Sequence, residues 1–536
     1  MLEQHLRLRH MLSLLFVFVT AVAVLPGRIV SANDVEAVRH FRLGNRAFKI
    51  GDLIEAEHQY RAAVQIDPKM TGARLNLAVT LARRGHLAEA VKELQKVLMV
   101  DPSSADVHYN LGRIYLQAHN DQAALTEFKT ALKLKPDNAE AMNNLALLME
   151  RNGDIETALR EFRLLVAENQ HYAQARNNFG QLLLKLGRLD EAIGQLQKAI
   201  SLEPGFSQAH ENLGLALLKK GDSKAAEAEF RKAAALGNAE AYLSLGVILG
   251  ERGDLEGAIS AHRRAVQLMP NDPMAHFLLG GGLQQSGNLE DAIGQYRIAL
   301  RLDPRLIAAE LNLGVVLRET GNLKGALSAL KSAVQAMPEN PEAHYQLAMV
   351  LSQSGNLAGA LAELRRAISL KPNYSEAYYA LGRVLRQMGK VEEAQVALAE
   401  VERLHEDDAR FAQANTEYNL GLRALDAGDL SAARGFFQAA LAIKPDFAEA
   451  HTNLGAILLK QGEVQRAIGQ FREAIDAQPN DARAYFDLGL ALLRQGSPGA
   501  ADNAFHHAIS LNPALKVLAR TAQFNRRRDN ATVDRR

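Results

Sequence analysis

A single alanine recurs at an almost constant interval through most of this 536-residue chain. Eleven of the thirteen intervals in the series are 34 residues long, one is 32 and one is 39. The series consists of Ala56, Ala90, Ala124, Ala158, Ala192, Ala226, Ala258, Ala292, Ala326, Ala360, Ala394, Ala433, Ala467 and Ala501. A fixed period of this size indicates a solenoid, in which every repeat stacks on its neighbours.

Small residues occupy fixed places within each repeat when the periodic alanine is numbered position 20. Position 8 is Gly in eleven repeats and Ala in three, and position 27 is Ala in eleven. Glycine costs a helix roughly 1 kcal/mol relative to alanine, so its recurrence indicates a close helix crossing and not a helix preference. The repeats run 37–70, 71–104, 105–138, 139–172, 173–206, 207–238, 239–272, 273–306, 307–340, 341–374, 375–413, 414–447, 448–481 and 482–515.

The ends of two helices can also be placed in each repeat. Position 15 is Gly in thirteen repeats, with His119 as the exception, and a glycine with positive φ ends a helix. Asp or Asn often follows and predicts the cap of the second helix, as at Asp52 and Asn288. Proline at position 32 then ends that helix in eleven repeats. A large side chain at position 24, such as Phe230, fits the apolar stripe of the second helix.

This pattern of small residues at 8, 20 and 27 with proline at 32 resembles the tetratricopeptide repeat family. The His-x-Asn-Leu-Gly version, as in 210–214 and 451–455, is similar to the repeats of O-linked N-acetylglucosamine transferases, although the chain has no tryptophan. The resemblance implies an all-α, right-handed superhelical solenoid of about 14 antiparallel helix pairs with a C-terminal capping helix. It assigns repeats 1–11 to residues 37–413 and repeats 12–14 to residues 414–515.

A row of asparagines at position 6 is the best candidate for a binding site. In this family the first helices line the concave face, and an amide can both donate to and accept from an extended peptide backbone. Aromatic residues at position 5 would add contact area beside that row. The alternative is that the asparagine ties each first helix to its neighbour. The candidate groove residues are Asn76, Asn110, Asn144, Asn178, Asn212, Asn312, Asn419, Asn453, Tyr109, Tyr345, Tyr379 and Tyr418.

The first 32 residues have the composition of an export signal. Arg7 and Arg9 precede an apolar stretch at 11–25, which is short for a membrane span, and Val30-Ser31-Ala32 matches a signal-peptidase site. We therefore expect residues 1–32 to be a signal peptide, an exported, periplasmic protein, and no stable membrane insertion after cleavage. The alternative is an uncleaved N-terminal anchor. The absence of cysteine fits an oxidising compartment, because misbridging is avoided.

No feature of the sequence indicates catalysis. Six of the sixteen histidines share position 4 of different repeats, at least about 10 Å apart by helix packing distances, so they cannot converge on one metal ion. Gly280-Gly281-Gly282 follows no strand and fails the context of a phosphate loop. We expect no enzyme activity, no catalytic residues, no metal and no cofactor. The net charge of +1 gives no reason to expect nucleic acid as a partner.

Two repeats and the C-terminal end depart from the pattern. The sixth repeat lacks two residues near 236–238, and the eleventh carries five extra residues near 404–408. These changes are interpreted as loop variation, or alternatively as a local change of superhelix angle near residue 410. Residues 514–524 have apolar residues at helical spacing and predict the capping helix. Residues 525–536, with five arginines, predict a disordered basic tail.

The expected function is an exported, non-enzymatic scaffold that binds extended segments of partner proteins in its concave groove. Bacterial cell-envelope assembly, secretion or polysaccharide export are the expected settings. The alternative is a substrate-recruiting partner of a separately encoded glycosyltransferase. The sequence does not indicate the oligomeric state.

Overall fold

The computed structural model describes residues 32–519 and 521. Within these residues the chain forms 27 α-helices and one 3-10 helix, and consecutive helices pack as antiparallel pairs. The predicted all-α repeat fold is therefore confirmed. The predicted signal peptide and basic tail lie outside the described residues, apart from Ala32, which begins the first helix.

The chain divides into two compact units, residues 1–287 and 288–536. The first unit contains α1 (Ala32–Lys49), α2 (Leu53–Ile66), α3 (Thr71–Arg83), α4 (Leu87–Leu98), α5 (Ala105–Gln117), α6 (Asp121–Leu134), α7 (Ala139–Arg151), α8 (Ile155–Glu168), α9 (Ala173–Lys185), α10 (Leu189–Leu202), α11 (Ser207–Lys219), α12 (Ser223–Ala235), α13 (Ala239–Glu251), α14 (Leu255–Leu268) and α15 (Pro273–Gln285).

The second unit begins with a second helix of a repeat. It contains α16 (Leu289–Leu302), α17 (Ile307–Glu319), α18 (Leu323–Ala336), α19 (Pro341–Gln353), α20 (Leu357–Leu370), α21 (Ser375–Gln387), α22 (Val391–Asp426), α23 (Leu430–Ile443), α24 (Ala448–Lys460), α25 (Val464–Ala477), α26 (Ala482–Gln495), α27 (Pro498–Leu511) and the 3-10 helix Pro513–Leu515.

The glycine at position 8 makes room for the large side chain at position 24 of the same repeat. A Cβ atom on Gly112 would lie 2.7 Å from the ring of Phe128, and one on Gly455 would lie 2.7 Å from the ring of Phe471. Both phenylalanines are fully buried. In these repeats an aromatic ring packs directly on the glycine backbone of the first helix, and Leu196 packs on Gly180 in the same way.

The predicted helix ends are confirmed at most positions. Gly51 and the equivalent glycines have positive φ, and His119 takes the same left-handed conformation with φ 56°. The side chain of Asp52 accepts a hydrogen bond from the backbone N–H of Glu55 at 3.0 Å and caps α2. Asn288 is a correction: it makes no cap hydrogen bond with α16, and its amide donates to Asp291 instead.

The five extra residues of the eleventh repeat do not form a loop. They lie inside α22, a continuous helix of 36 residues that joins the second helix of repeat 11 to the first helix of repeat 12. The interpretation as loop variation is therefore wrong at this position. No glycine or proline occurs between residues 391 and 420, so nothing in the sequence interrupts the helix.

Two further features complete the fold. Ala519 is buried in the same apolar cluster as Phe505, so the described part of the segment after α27 covers the last repeat. None of the helices within 32–519 combines the length and the apolar character that a bilayer crossing requires.

Candidate functional site

The first helices of the repeats lie on the inner side of each unit. In the first unit α1 contacts α3, α3 contacts α5 and α9 contacts α11, and in the second unit α17 contacts α19. Successive second helices approach each other less closely. The position-5 and position-6 side chains therefore lie on the more tightly curved side of each stack.

Most of the predicted asparagine row is hydrogen-bonded between neighbouring repeats. The Nδ2 of Asn178 donates to the Oδ1 of Asn143 at 2.9 Å, and the Nδ2 of Asn212 donates to the Oδ1 of Asn177 at the same distance. In both cases position 6 of one repeat binds position 5 of the preceding repeat. Asn178 and Asn212 are both nearly fully buried.

Two more pairs repeat this arrangement with a tyrosine as the acceptor. The amide of Asn144 donates to the hydroxyl of Tyr109 at 3.4 Å, and the amide of Asn453 donates to the hydroxyl of Tyr418 at 3.0 Å. Arg483 of the following repeat donates to the Oδ1 of Asn453 at 3.1 Å. The position-5 aromatic residue thus serves its neighbour as a hydrogen-bond acceptor.

The remaining asparagines of the row are arranged differently. Asn76 donates to Asn45 at 2.8 Å, Asn312 donates to the hydroxyl of Tyr296 at 3.4 Å, and Asn110 donates to a carbonyl of its own helix at 2.8 Å. Asn419 is exposed and has no hydrogen bond within the described part of the chain.

These bonds change the interpretation of the row. Asn178, Asn212 and Asn453 are buried, and one of the two amide hydrogens on each Nδ2 is already bonded to the preceding repeat. For these three residues the geometry therefore favours the alternative considered above, a tie between neighbouring first helices. Removing the donor of such a hydrogen bond leaves its buried acceptor without a partner, which lowers the stability of the fold.

The predicted aromatic residues fall into two groups. Tyr109 is buried against Phe128, and the ring of Tyr418 lies 5.0 Å from that of Phe447. Tyr345 is half-buried with its ring 5.2 Å from that of Tyr374. Tyr379 is 54% exposed, which no other predicted groove tyrosine approaches. Tyr379 is therefore the most open of the four, Tyr345 and Tyr418 are partly accessible, and Tyr109 is closed to a partner.

Tyr345 lies among charged groups from three successive first helices. Burial raises the pKa of Tyr345, and Glu342 adds to this effect, whereas Arg318 on α17 and Arg383 on α21 oppose it. Arg383 is exposed and has no ion pair within residues 32–519. Two buried polar atoms also lack a hydrogen-bond partner here, the Nε of Arg318 and the Oε1 of Gln346. We call Arg318, Tyr345, Gln346 and Arg383 the arginine–tyrosine patch.

The position-4 histidines connect helices and do not gather around a metal. The Nδ1 of His210 lies 2.6 Å from a carboxylate oxygen of Glu229, and its Nε2 lies 3.1 Å from the carbonyl oxygen of Pro204. His344 has the same relation to Glu363 and Pro338. Each histidine thus links the second helix of its own repeat to the proline turn before it. Residues 32–519 contain no group of three His, Asp or Glu placed to hold a metal ion.

A buried carboxyl group marks the shortened sixth repeat. Glu211 is 2% exposed and accepts hydrogen bonds from Gln208 at 2.5 Å and from Asn238 at 3.1 Å. Burial raises the pKa of Glu211 to about 7, and the nearby Glu240 adds to the shift. No repeating pattern marks this group, because position 5 carries no acid in the other repeats.

Comparison with known proteins identifies the repeats. One tetratricopeptide repeat model matches residues 177–239, 212–273, 277–341, 418–482 and 457–505. A second matches 47–114, 83–141, 317–368 and 351–416, and a third matches 127–160. No curated protein sequence gave a significant match.

Several solved structures are similar to this chain. A crystal structure of the APC/C hetero-tetramer Cut9–Hcn1 is 17% identical over 93% of this chain and 97% of that one, with a TM-score of 0.39. PilF from Pseudomonas aeruginosa is 25% identical over 38% and 93%, with a TM-score of 0.35. A tetratricopeptide repeat protein from Parabacteroides merdae is 21% identical over 46% and 99%, with a TM-score of 0.39. Because the three repeat models together match most of residues 47–505, the chain belongs to the tetratricopeptide repeat family.

Proposed function

We propose that this protein is an exported, non-enzymatic scaffold that binds extended segments of partner proteins on the inner faces of its repeats. The family supports the scaffold role, since tetratricopeptide repeats present continuous surfaces to other proteins. Residues 1–32 support export, because they combine basic residues, an apolar stretch and small residues that match a signal-peptidase site. Cell-envelope assembly, secretion or polysaccharide export in a bacterium are the proposed settings.

The observation that carries this proposal is the arginine–tyrosine patch. Unlike the buried amides of Asn178, Asn212 and Asn453, it keeps polar atoms that are not used inside the fold, the Nε of Arg318 and the Oε1 of Gln346. A buried polar atom without a partner is unfavourable, so a ligand that supplies the missing hydrogen bonds gains affinity. Both atoms are closed to solvent, so a peptide backbone, which carries both an acceptor and a donor, satisfies them once the side chains of Arg318 and Gln346 turn toward it.

The charges of the patch favour an acidic segment. Glu342 is already held by the amide of Gln346 at 2.7 Å and by the hydroxyl of Tyr374. Arg318 approaches only Glu319, at 3.9 Å, and Arg383 is exposed. Guanidinium groups bind carboxylates through paired hydrogen bonds, and Tyr345 offers an aromatic face between them. We infer that a partner carries Asp or Glu where it crosses α17, α19 and α21.

The test compares two charge-matched variants of the full chain. Arg318→Ala/Arg383→Ala removes both guanidinium groups of the patch, and Lys324→Ala/Lys331→Ala removes two charges from exposed positions on the second helix α18. We expect proteins retained from a native envelope extract by the wild type and the lysine variant to be lost from the arginine variant. Mass spectrometry identifies them, and a glycosyltransferase among them would favour the alternative function.

Equal retention by both variants would contradict a role for the patch. Export is tested on the same cells. We expect N-terminal sequencing of the periplasmic protein to begin at Asn33. Protein confined to the cytoplasm would contradict the export proposal while leaving the binding result intact.

A further inference from the structure

The helix α22 interrupts the stacking of the repeats. At the other junctions described within the two units, the chain turns between the second helix of one repeat and the first helix of the next. Residues 391–426 instead run straight through the junction of repeats 11 and 12. Ion pairs between Arg403 and Glu400, Arg403 and Asp407, and Arg410 and Asp407 follow the helix across the junction.

Repeat 11 has the burial pattern of an array that ends. Position 24 is buried in every other repeat, but Leu398 at this position is only half-buried. Position 27 is likewise buried elsewhere, but Val401 is half-buried. Tyr379 at position 5 is 54% exposed, whereas Tyr109 at the same position of repeat 3 is 8% exposed. An apolar face that the next repeat normally covers is therefore open.

Repeat 12 has the burial pattern of an array that begins. Position 7 is buried in every repeat except the first, where Leu43 is 39% exposed, and the twelfth, where Leu420 is half-buried. Asn419 at position 6 is exposed, although Asn178 and Asn453 at this position are buried. The face that normally stacks on a preceding repeat is open as well.

The two open faces are the two halves of one junction. In the regular repeats the position-6 amide binds position 5 of the preceding repeat, 35 residues earlier. With five inserted residues, the equivalent partner of Asn419 is Tyr379. These two side chains are the exposed members of the series, and they make no hydrogen bond to each other or to other described residues.

The continuous helix α22 keeps these halves apart within one chain. Residues 391–426 extend about 54 Å at the usual helical rise, so repeat 12 follows repeat 11 end to end and not side by side. Closing the junction within one chain requires a break within residues 391–420, which contain no glycine or proline and are reinforced by ion pairs.

We propose that a second copy of this chain closes the junction. In this two-fold dimer, repeat 12 of each copy stacks on repeat 11 of the other, and Tyr379 accepts the amide hydrogen bond of Asn419 of the partner subunit. A second copy fits because it carries the complementary face in the same register, and exchange of identical elements gives a closed, symmetric contact. The contact buries the apolar side chains Leu398, Val401 and Leu420. This burial stabilises the dimer through the hydrophobic effect.

The absence of cysteine makes a direct test possible. In Tyr379→Cys/Asn419→Cys, a short thiol-to-thiol crosslinker is expected to join two chains into a covalent dimer, which electrophoresis resolves. The matched control is Tyr418→Cys/Asn453→Cys at a regular junction, where crosslinking joins residues of one chain. Light scattering on the unmodified full chain is expected to give twice the chain mass of 58.6 kDa.

Two results would overturn the proposal. One is a 379–419 crosslink formed within a single chain, which would mean that the junction closes in cis. The other is a monomer in light scattering across the micromolar range. Glu406→Gly/Asp407→Pro supplies an independent check: by breaking α22 it allows closure in cis, so we expect this variant to be monomeric, and a persistent dimer would contradict the role of the helix.

Discussion

At the scale of single residues, most asparagines of the predicted ligand-binding row donate a hydrogen bond to the preceding repeat. Asn178 and Asn212 donate to acceptors one repeat away, and both the donors and the acceptors are buried. The sequence placed these asparagines on the inner side of the first helices. It could not show that the acceptor of Asn178 is Asn143, because that contact depends on how closely two successive helices approach.

Replacing these asparagines is expected to destabilise the fold. Asn178→Ala and Asn212→Ala each leave a buried amide oxygen without its donor, which costs roughly 1–3 kcal/mol in the free energy of unfolding. Asn110→Ala is the control, because Asn110 donates only within its own helix, and we expect a change within about 0.5 kcal/mol. Urea unfolding measures all three. Unchanged stability with weaker partner binding would instead support the original interpretation of the row.

The buried carboxyl of Glu211 gives the stability a dependence on pH. Its pKa is raised from 4.5 to about 7 in the folded chain, so the folded state binds the proton more tightly than the unfolded state. The stabilisation is complete below about pH 4.5 and is lost as the pH rises through 7. Glu211→Gln has no proton to lose.

We therefore expect Glu211→Gln to gain stability relative to the wild type between pH 5 and pH 8, by roughly 2 kcal/mol. The free energy of unfolding of both proteins, measured across that range in urea, checks the difference. A constant difference at all pH values would mean that Glu211 is charged throughout, held by Gln208 and Asn238.

At the scale of helices, the turns follow from the sequence and the long helix does not. Glycines with positive φ and capping side chains are visible in the sequence and are confirmed. The signal for α22 was also present: repeat 11 has Glu406 where most repeats have proline. A period alone cannot show whether inserted residues are helical. The missing proline and the absence of glycine are what decide it.

The ring-on-glycine contact predicts opposite effects for two glycine substitutions. In Gly214→Ala the new Cβ would lie 2.7 Å from the ring of Phe230, so we expect a loss of roughly 1–3 kcal/mol despite the better helix propensity of alanine. In Gly194→Ala, on α10, no atom lies within 4 Å of the new Cβ, so we expect a gain of about 0.5–1 kcal/mol. Thermal unfolding compares the two. Equal effects would show that the crossing tolerates a methyl group.

At the scale of the whole molecule, the regular spacing of small residues predicted nearly all of the helix-pair architecture and little of the binding surface. The family follows from small residues at fixed intervals, which every repeat must keep for packing. The arginine–tyrosine patch depends on residues that differ between repeats, such as Arg318 and Arg383 at positions 12 and 9. No period marks them, and their proximity appears only when α17, α19 and α21 are stacked.

The helix α22 also fixes the spacing between the repeats on either side of it. Its 36 residues, about 54 Å long, run from repeat 11 into repeat 12 and hold the inner face of repeats 9–11 at a fixed spacing from that of repeats 12–14. A partner that engages both faces of one chain needs two contact segments joined by a tether long enough to reach. The second contact then forms at a local concentration set by that tether. Partners are thereby selected by the spacing of their contact segments as well as by the chemistry of each segment.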